Sequence, residues 1–254
     1  MIEAGSLIRS LSGRPAARNF HTFVINEIGH AIVTGKYPVG SILASDAEMM
    51  ESFGVSRTVL REALKTLEAK GMVEARPKVG TRVTPQSRWS YFDPQVLAWH
   101  YYAKPDRQFY EGLFDVRHAL ETRAAGLAAQ RRTAETIRVL KYWLHQMHSA
   151  QGDRENHGIA ALEIHRTLAE VSGNVMLRSV TGVVELTLAL ALGRIETVSE
   201  DIYLAQTYEL LSQLIHAVEK SDAETAASVM ADIIALDRTQ VLRQQLNLER
   251  AAGT

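Results

Sequence analysis

From Phe20 to Thr34 the apolar residues Phe20, Phe23, Val24, Ile28, Ile32 and Val33 recur at helical spacing, and Gly35-Lys-Tyr-Pro-Val-Gly40 ends the run. The next pattern is shorter. In Ser45-Asp-Ala-Glu48 a Ser cap meets Glu three residues later, the pairing that satisfies the first backbone N–H groups of a helix reciprocally. Gly54-Val55-Ser56 then turns the chain, and Ser56 caps a second helix over Arg57–Lys70. Leu60, Ala63, Leu64 and Leu67 form its apolar stripe, while Arg57, Thr58 and Arg61 occupy the first turns on the other side. Gly71 ends this helix, and Met72–Val83 alternates as a β-hairpin whose tip carries Arg76, Lys78 and Gly80.

Beyond Pro94 no strand-like alternation of useful length occurs, which predicts an all-helical region. The expected helices are Gln95–Tyr102, Arg107–Gln130, Ala134–Ala150, His157–Ser172, Val175–Thr197, Ala205–Ser221 and Ala223–Leu248. Their breaks fall at Gly152, Gly173-Asn174 and Ser221-Asp222. The fold class is therefore mainly α: a winged helix-turn-helix of three helices and a small hairpin, joined to a helical bundle large enough to enclose a pocket. Four segments follow: a mobile N-terminal arm over 1–18, the winged helix over 19–84, a linker over 85–94 and the helical domain over 95–248. Contact between the arm and DNA phosphates is the alternative to simple disorder. Within the linker, Trp89, Tyr91 and Phe92 predict docking of the rings against a domain.

Composition narrows the picture. The chain has 254 residues, no cysteine and no apolar run of membrane length, the longest candidate being Val183–Leu192. A cytosolic protein without disulfides or thiolate metal sites is expected. The net charge of -1 conceals an asymmetry: residues 1–88 carry 12 Lys and Arg against 8 Asp and Glu, and the acidic surplus lies in the remainder. Positive charge also sits where a helix N-terminus disfavours it, at Arg57 and Arg61, which points to an external anion or base edge. No G-x-S-x-G, phosphate loop, H-E-x-x-H or suggestive carboxylate pair is present, so no enzyme activity is expected.

Gly54-Val-Ser-Arg-Thr-Val-Leu-Arg-Glu-Ala-Leu64, Leu67-Glu-Ala-Lys-Gly71 and Val79-Gly-Thr-Arg-Val83 resemble the winged-helix domain of the GntR family of bacterial transcription regulators. The later half resembles the FadR-like branch, with its FCD domain, through Asp115-Val-Arg-His-Ala-Leu-Glu121, Ala124-Ala-Gly-Leu-Ala-Ala129 and His165-Arg-Thr-Leu-Ala-Glu-Val-Ser-Gly-Asn174. The stretch Ser87–Trp99 is similar to the linker of regulators of the galactonate operon type.

The resemblance implies a homodimer whose two winged helices read a palindromic double-stranded DNA operator, and a helical domain that binds a small carboxylate. Ser56, Arg57, Thr58, Arg61, Lys78 and Gly80 match the DNA-contacting positions. Ala47 departs from the family, which usually carries Arg there. Many relatives hold a metal through an Asp and three His; here only His165 remains, with Ala161, Leu211 and Ile233 at the other positions, so neither metal nor other cofactor is expected. His145 with His148, and Asp153 with His157, are weaker alternatives. Arg117, Glu121, His165 and Arg194 are then the candidates for the effector site, with an internal Arg117–Glu121 ion pair the competing role. The expected function is a repressor of a catabolic operon released by a small carboxylate such as a sugar acid. A DNA-architectural or dimerising protein without an effector is the alternative.

Overall fold

The computed structural model describes residues 6–9, 20–103, 106–150, 153–193 and 197–252. Two compact units are formed: Pro15–Pro105, and Asp106–Thr254 together with Met1–Arg14. The single turn α1 (Ser6–Arg9) thus belongs to the later unit despite its place in the chain.

In the first unit, α2 (Phe20–Val33) buries Val24, Ile25, Ile28, Ala31 and Ile32. The capping box opens α3 (Asp46–Phe53): Glu48 N donates to Ser45 Oγ at 3.3 Å and Ser45 N donates to Glu48 Oε2 at 2.8 Å. Gly54, at φ 64°, ends the helix in the left-handed region open to glycine. Ser56 Oγ then accepts from Val59 N at 3.4 Å, starting α4 (Arg57–Ala69). Its buried Leu60, Ala63 and Leu67 join α2, Met72 and Val83 in one apolar core. Gly71 is doubly constrained, because φ is 75° and a Cβ there would lie 2.0 Å from the Arg88 carbonyl oxygen.

Strands β1 (Val73–Arg76) and β2 (Gly80–Val83) pair antiparallel, with Val73 opposite Val83 and Arg76 opposite Gly80. Residues 41–43 add a third segment that local pattern did not predict: Leu43 N donates to Thr81 O at 2.8 Å and Val83 N to Ser41 O at 2.9 Å. The outer edge of β2 is thereby satisfied.

Helix α5 (Pro94–Ala103) also belongs to this unit, so the division falls at Pro105 and corrects the expected start of the helical domain at residue 95. The reason is Trp99, whose ring occupies the space left by Gly29; a Cβ there would lie 2.6 Å from it. Its indole N–H donates to Asn26 Oδ1 at 3.0 Å. Of the linker rings, Trp89 is buried and donates to Thr84 O at 3.2 Å, and Tyr91 packs beside it. Phe92 is 51% exposed, against the expectation that all three dock. Lys70 closes the segment by pairing with Asp93 at 2.6 Å.

The second unit is built from α6 (Arg107–Arg131), α7 (Ala134–Ser149), α8 (Arg154–Val171), α9 (Thr181–Leu192), α10 (Thr197–Glu219) and α11 (Ala223–Ala252). Side-chain caps set three of the starts: Asp106 for α6, Thr133 for α7 and Asp153 for α8. The Asp153 cap explains why α8 begins three residues before the expected His157. The expected Val175–Thr197 helix is a 3-10 turn over Leu177–Val180 followed by α9, and α10 starts at Thr197 rather than Ala205. Gly126 lets α6 approach α11, since a Cβ there would lie 3.3 Å from the Ala223 carbonyl oxygen. Among the described residues no helix is long and apolar enough to cross a membrane.

The N-terminal arm is corrected in part. Residues 6–9 are helical and packed on the second unit, with Ile8 fully buried, so they are no mobile arm. The rest of 1–18 lies outside the described residues.

Candidate nucleic-acid interface and buried polar cluster

The first candidate surface is the start of α4. Ser56, Arg57, Thr58 and Arg61 are all exposed on the face opposite Leu60, Ala63 and Leu67. No acidic residue lies in the first turn, and neither Arg57 nor Arg61 is held in an ion pair among the described residues. Two free guanidinium groups beside a positive helix end form an anion-seeking surface. The neighbouring cations differ: Lys65 is paired to Glu62 at 2.8 Å, and Arg76 and Arg88 both bind Glu74, at 2.6 and 2.7 Å. Ala47 is exposed on the first turn of α3, where it offers no polar group.

At the hairpin tip Lys78 is exposed and has φ 63°, a conformation unusual for a residue with a Cβ. It projects a cation from a tight turn closed by Val79 N donating to Arg76 O at 3.1 Å. Gly80 follows at φ 114°, and a Cβ there would meet Ile42 Cγ2 at 3.3 Å. The turn therefore needs glycine at 80 and carries its charge at 78.

The second site is a polar network in the middle of the helical unit. Arg117 on α6 has no exposed surface; its Nε donates to Glu121 Oε2 at 2.6 Å, and its Nη1 donates to Asp237 Oδ2 at 2.7 Å and Thr187 Oγ1 at 3.0 Å. The phenolic O–H of Tyr203 donates to Asp237 Oδ1 at 2.7 Å. His165 Nδ1 lies 2.6 Å from Glu121 Oε1. Five helices, α6, α8, α9, α10 and α11, contribute to this one cluster.

Burial favours neutral Glu121, but the Arg117 guanidinium and His165 outweigh it and hold the carboxyl down to about 2. Burial likewise opposes the charge on Arg117, yet Glu121 and Asp237 raise its pKa. Tyr203 is raised by burial and by Asp237, and so stays a hydrogen-bond donor. Ionised Glu121 can only accept, so His165 Nδ1 carries the proton of their hydrogen bond. Arg117 Nη2 and His165 Nε2 are buried without a hydrogen-bond partner among the described residues.

Glu121 and His165 line a small cavity of about 10 Å³, room for about one water, together with Leu120, Ala124, Val184 and Met230. Arg166 and Thr181 border both this cavity and a surface cleft of about 380 Å³.

Arg117, Glu121 and His165 are thus brought together, whereas Arg194 lies outside the described residues. Ala161, Leu211 and Ile233 are buried and apolar, and among the described residues no three His, Cys, Asp or Glu side chains converge to hold a metal. Sequence reasoning missed Thr187, Tyr203 and Asp237. Asp237 had a signal: it lies on the stripe of Ile233, Ile234 and Val241, where a charge is not tolerated without a partner.

Outside the cluster, His157 on α8 is buried with Nε2 unpartnered, and burial lowers its pKa to about 4. An unfolded His takes up its proton near pH 6.5, so between there and about pH 4 the unfolded chain binds more protons and stability falls with acidification. The full loss from this residue is roughly 3 kcal/mol. Urea unfolding at pH 7 and pH 4.5 should show a smaller acid loss for His157→Leu than for the unsubstituted protein. Equal losses would remove His157 as the cause.

Comparison with known proteins bears on both sites. The description "Bacterial regulatory proteins, gntR family" matches residues 21–83, and the FCD domain matches residues 112–236. The chain is 37% identical over 166 residues to the uncharacterized HTH-type transcriptional regulator YieP of Escherichia coli (strain K12), covering 65% of this chain and 72% of that one. It is 27% identical over 212 residues to the galactonate operon transcriptional repressor of the same strain, covering 84% and 92%. Its fold matches, with TM-score 0.63 and 18% identity over 90% of this chain and 99% of the other, the structure of Lar, which controls the expression of the Listeria monocytogenes agr system.

Proposed function

Because the chain belongs to the GntR family of bacterial regulatory proteins, with an FCD domain after its winged helix, and is a DNA-binding transcription regulator rather than an enzyme, we propose that it represses a catabolic operon and releases its operator when a small carboxylate, a sugar acid, binds the helical domain. A homodimer on a palindrome is the working form. Its DNA contacts are Ser56, Arg57, Thr58 and Arg61 on α4, with Lys78 and Gly80 at the wing. The observation that carries the DNA side is the exposed Arg57 and Arg61 at the capped start of α4, neither in an ion pair among the described residues.

For the effector, support comes from the galactonate operon repressor as a relative and from the polar atoms around the inner cavity. His165 Nε2 is a buried polar atom without a partner among the described residues, which a ligand hydroxyl would satisfy, and sugar acids carry hydroxyls beside their carboxylate. Arg117 already serves two carboxylates, so its role is to hold Glu121 and Asp237 in place and to offer Nη2. Binding requires the cavity to widen toward the cleft, and the ligand selects the wider state. The spacing of the two DNA readers then departs from that of the half-sites.

Thermal shift against D-galactonate, other aldonates and C4 to C6 dicarboxylates tests the effector reading. A specific compound at ~100 times its Kd stabilises by roughly 2.7 kcal/mol. The same compound should dissociate the protein from an operator selected from random DNA. A panel without stabilisation would favour the architectural alternative.

A further inference from the structure

The N-terminal turn α1 sits in a prepared seat on the helical unit. Ile8 is fully buried and Leu7 nearly so. Gly158 on α8 makes room: a Cβ there would lie 2.6 Å from Leu192 Cδ1 and 3.0 Å from Ile8 Cγ2. The backbone N–H of Leu7 donates to Glu185 Oε1 at 2.7 Å in a buried hydrogen bond. Glu185 is the acidic residue of α9, whose other residues from Val183 to Leu192 are apolar apart from Thr187. A carboxyl group buried there is costly unless a donor meets it, and the Leu7 N–H is such a donor.

The geometry of α9 gives the seat a second meaning. Glu185 and Leu192 are seven residues apart and share one face, which holds α1. Thr187 lies about 200° around the helix from Glu185 and contacts Arg117, and Val184 lines the inner cavity. One helix thus serves the N-terminus on one side and the polar cluster on the other.

We infer that Gly158, Glu185 and Leu192 form a docking site for the chain's own residues 6–9, which fastens the DNA-reading unit to the helical unit at both of its ends. Pro15–Pro105 is then an insertion between two segments of the helical unit, joined behind by residues 104–106 and in front by the ten residues that precede Phe20.

Hydrogen exchange on the full chain tests the docking without any ligand. The Leu7 and Ile8 amides should exchange roughly 10- to 100-fold more slowly than in a free peptide of residues 1–12, the factor expected when apolar side chains are buried on a folded surface. Deleting residues 2–9 should speed exchange across 154–162 and 183–192 by a similar factor while the circular dichroism stays helical. Because a tethered segment works at millimolar effective concentration, the 1–12 peptide added at ~1 mM should restore protection to the deletion variant, and the same peptide with Ile8→Asp should not. Free-chain exchange at Leu7 and Ile8, unchanged α8 and α9 after deletion, or equal rescue by the Ile8→Asp peptide would each overturn the inference. The effector reading would survive any of these, since it is tested by ligand stabilisation of the full chain.

Discussion

Arg57→Ala and Arg61→Ala are each expected to weaken binding to a selected operator by roughly tenfold to a hundredfold, about 1–3 kcal/mol, with no loss of fold. Both side chains are exposed and unpaired among the described residues, so removing either takes away no internal contact. Both project from the first two turns of α4, whose opposite face is pinned in the core by Leu60, Ala63 and Leu67. The helix is therefore a rigid platform, and its truncated variants should melt as the unsubstituted protein does. Fluorescence anisotropy over a range of salt concentrations separates the two kinds of contact. A lost phosphate contact lowers the salt slope by about one and weakens all sequences alike, whereas a lost base contact relaxes preference at one position of each half-site. Unchanged operator affinity for both variants would remove α4 as the reading helix. Ala47 has no side-chain donor, so any preference the operator shows next to α3 has to come from another residue.

Arg117→Ala is expected to have the largest effect on stability, a loss of about 3–5 kcal/mol, because it leaves Glu121 and Asp237 buried without their shared cation. Urea unfolding of the helical unit would measure it. Adding Asp237→Asn and Glu121→Gln should recover part of the loss, since the penalty arises from uncompensated carboxylates rather than from the missing side chain alone. If Arg117→Ala unfolds at the same urea concentration as the unsubstituted protein, the cluster is not structural and Arg117 is available as a ligand anchor. The sign of this result governs how effector data are read. A regulator that loses its response through Arg117→Ala has lost a packed network of five helices, and only a stable variant would assign the loss to ligand contact.

Much of the DNA-reading unit was legible in the chain because its signals are local. The Ser45–Glu48 capping box spans three residues, and the α4 stripe repeats within a few turns. Gly71 marks a backbone position that no other residue can occupy comfortably. The pairing of residues 41–43 with β2 was not legible, because nothing near Ile42 announces a partner forty residues away. Helix α5 was foreseen as a helix and assigned to the wrong unit, since periodicity reports that a face is apolar and not what covers it. The same limit hid the docking of Leu7 and Ile8, two apolar residues in a polar segment too short to show any period.

By itself the sequence determined the class of this protein: a capped helix-turn-helix with a basic wing and an all-helical partner domain, in the order of a GntR regulator with an FCD domain. Only the tertiary structure decided that Arg117 is paired with Glu121 and Asp237, that His165 lines a small cavity beside Glu121, and that residues 6–9 are seated on α8 and α9. The physical reason is range. Caps, turns and stripes are settled by neighbours within a turn or two, whereas a buried charge is defined by its partners, and apart from the Arg117–Glu121 pair those lie from 34 to 178 residues away along the chain.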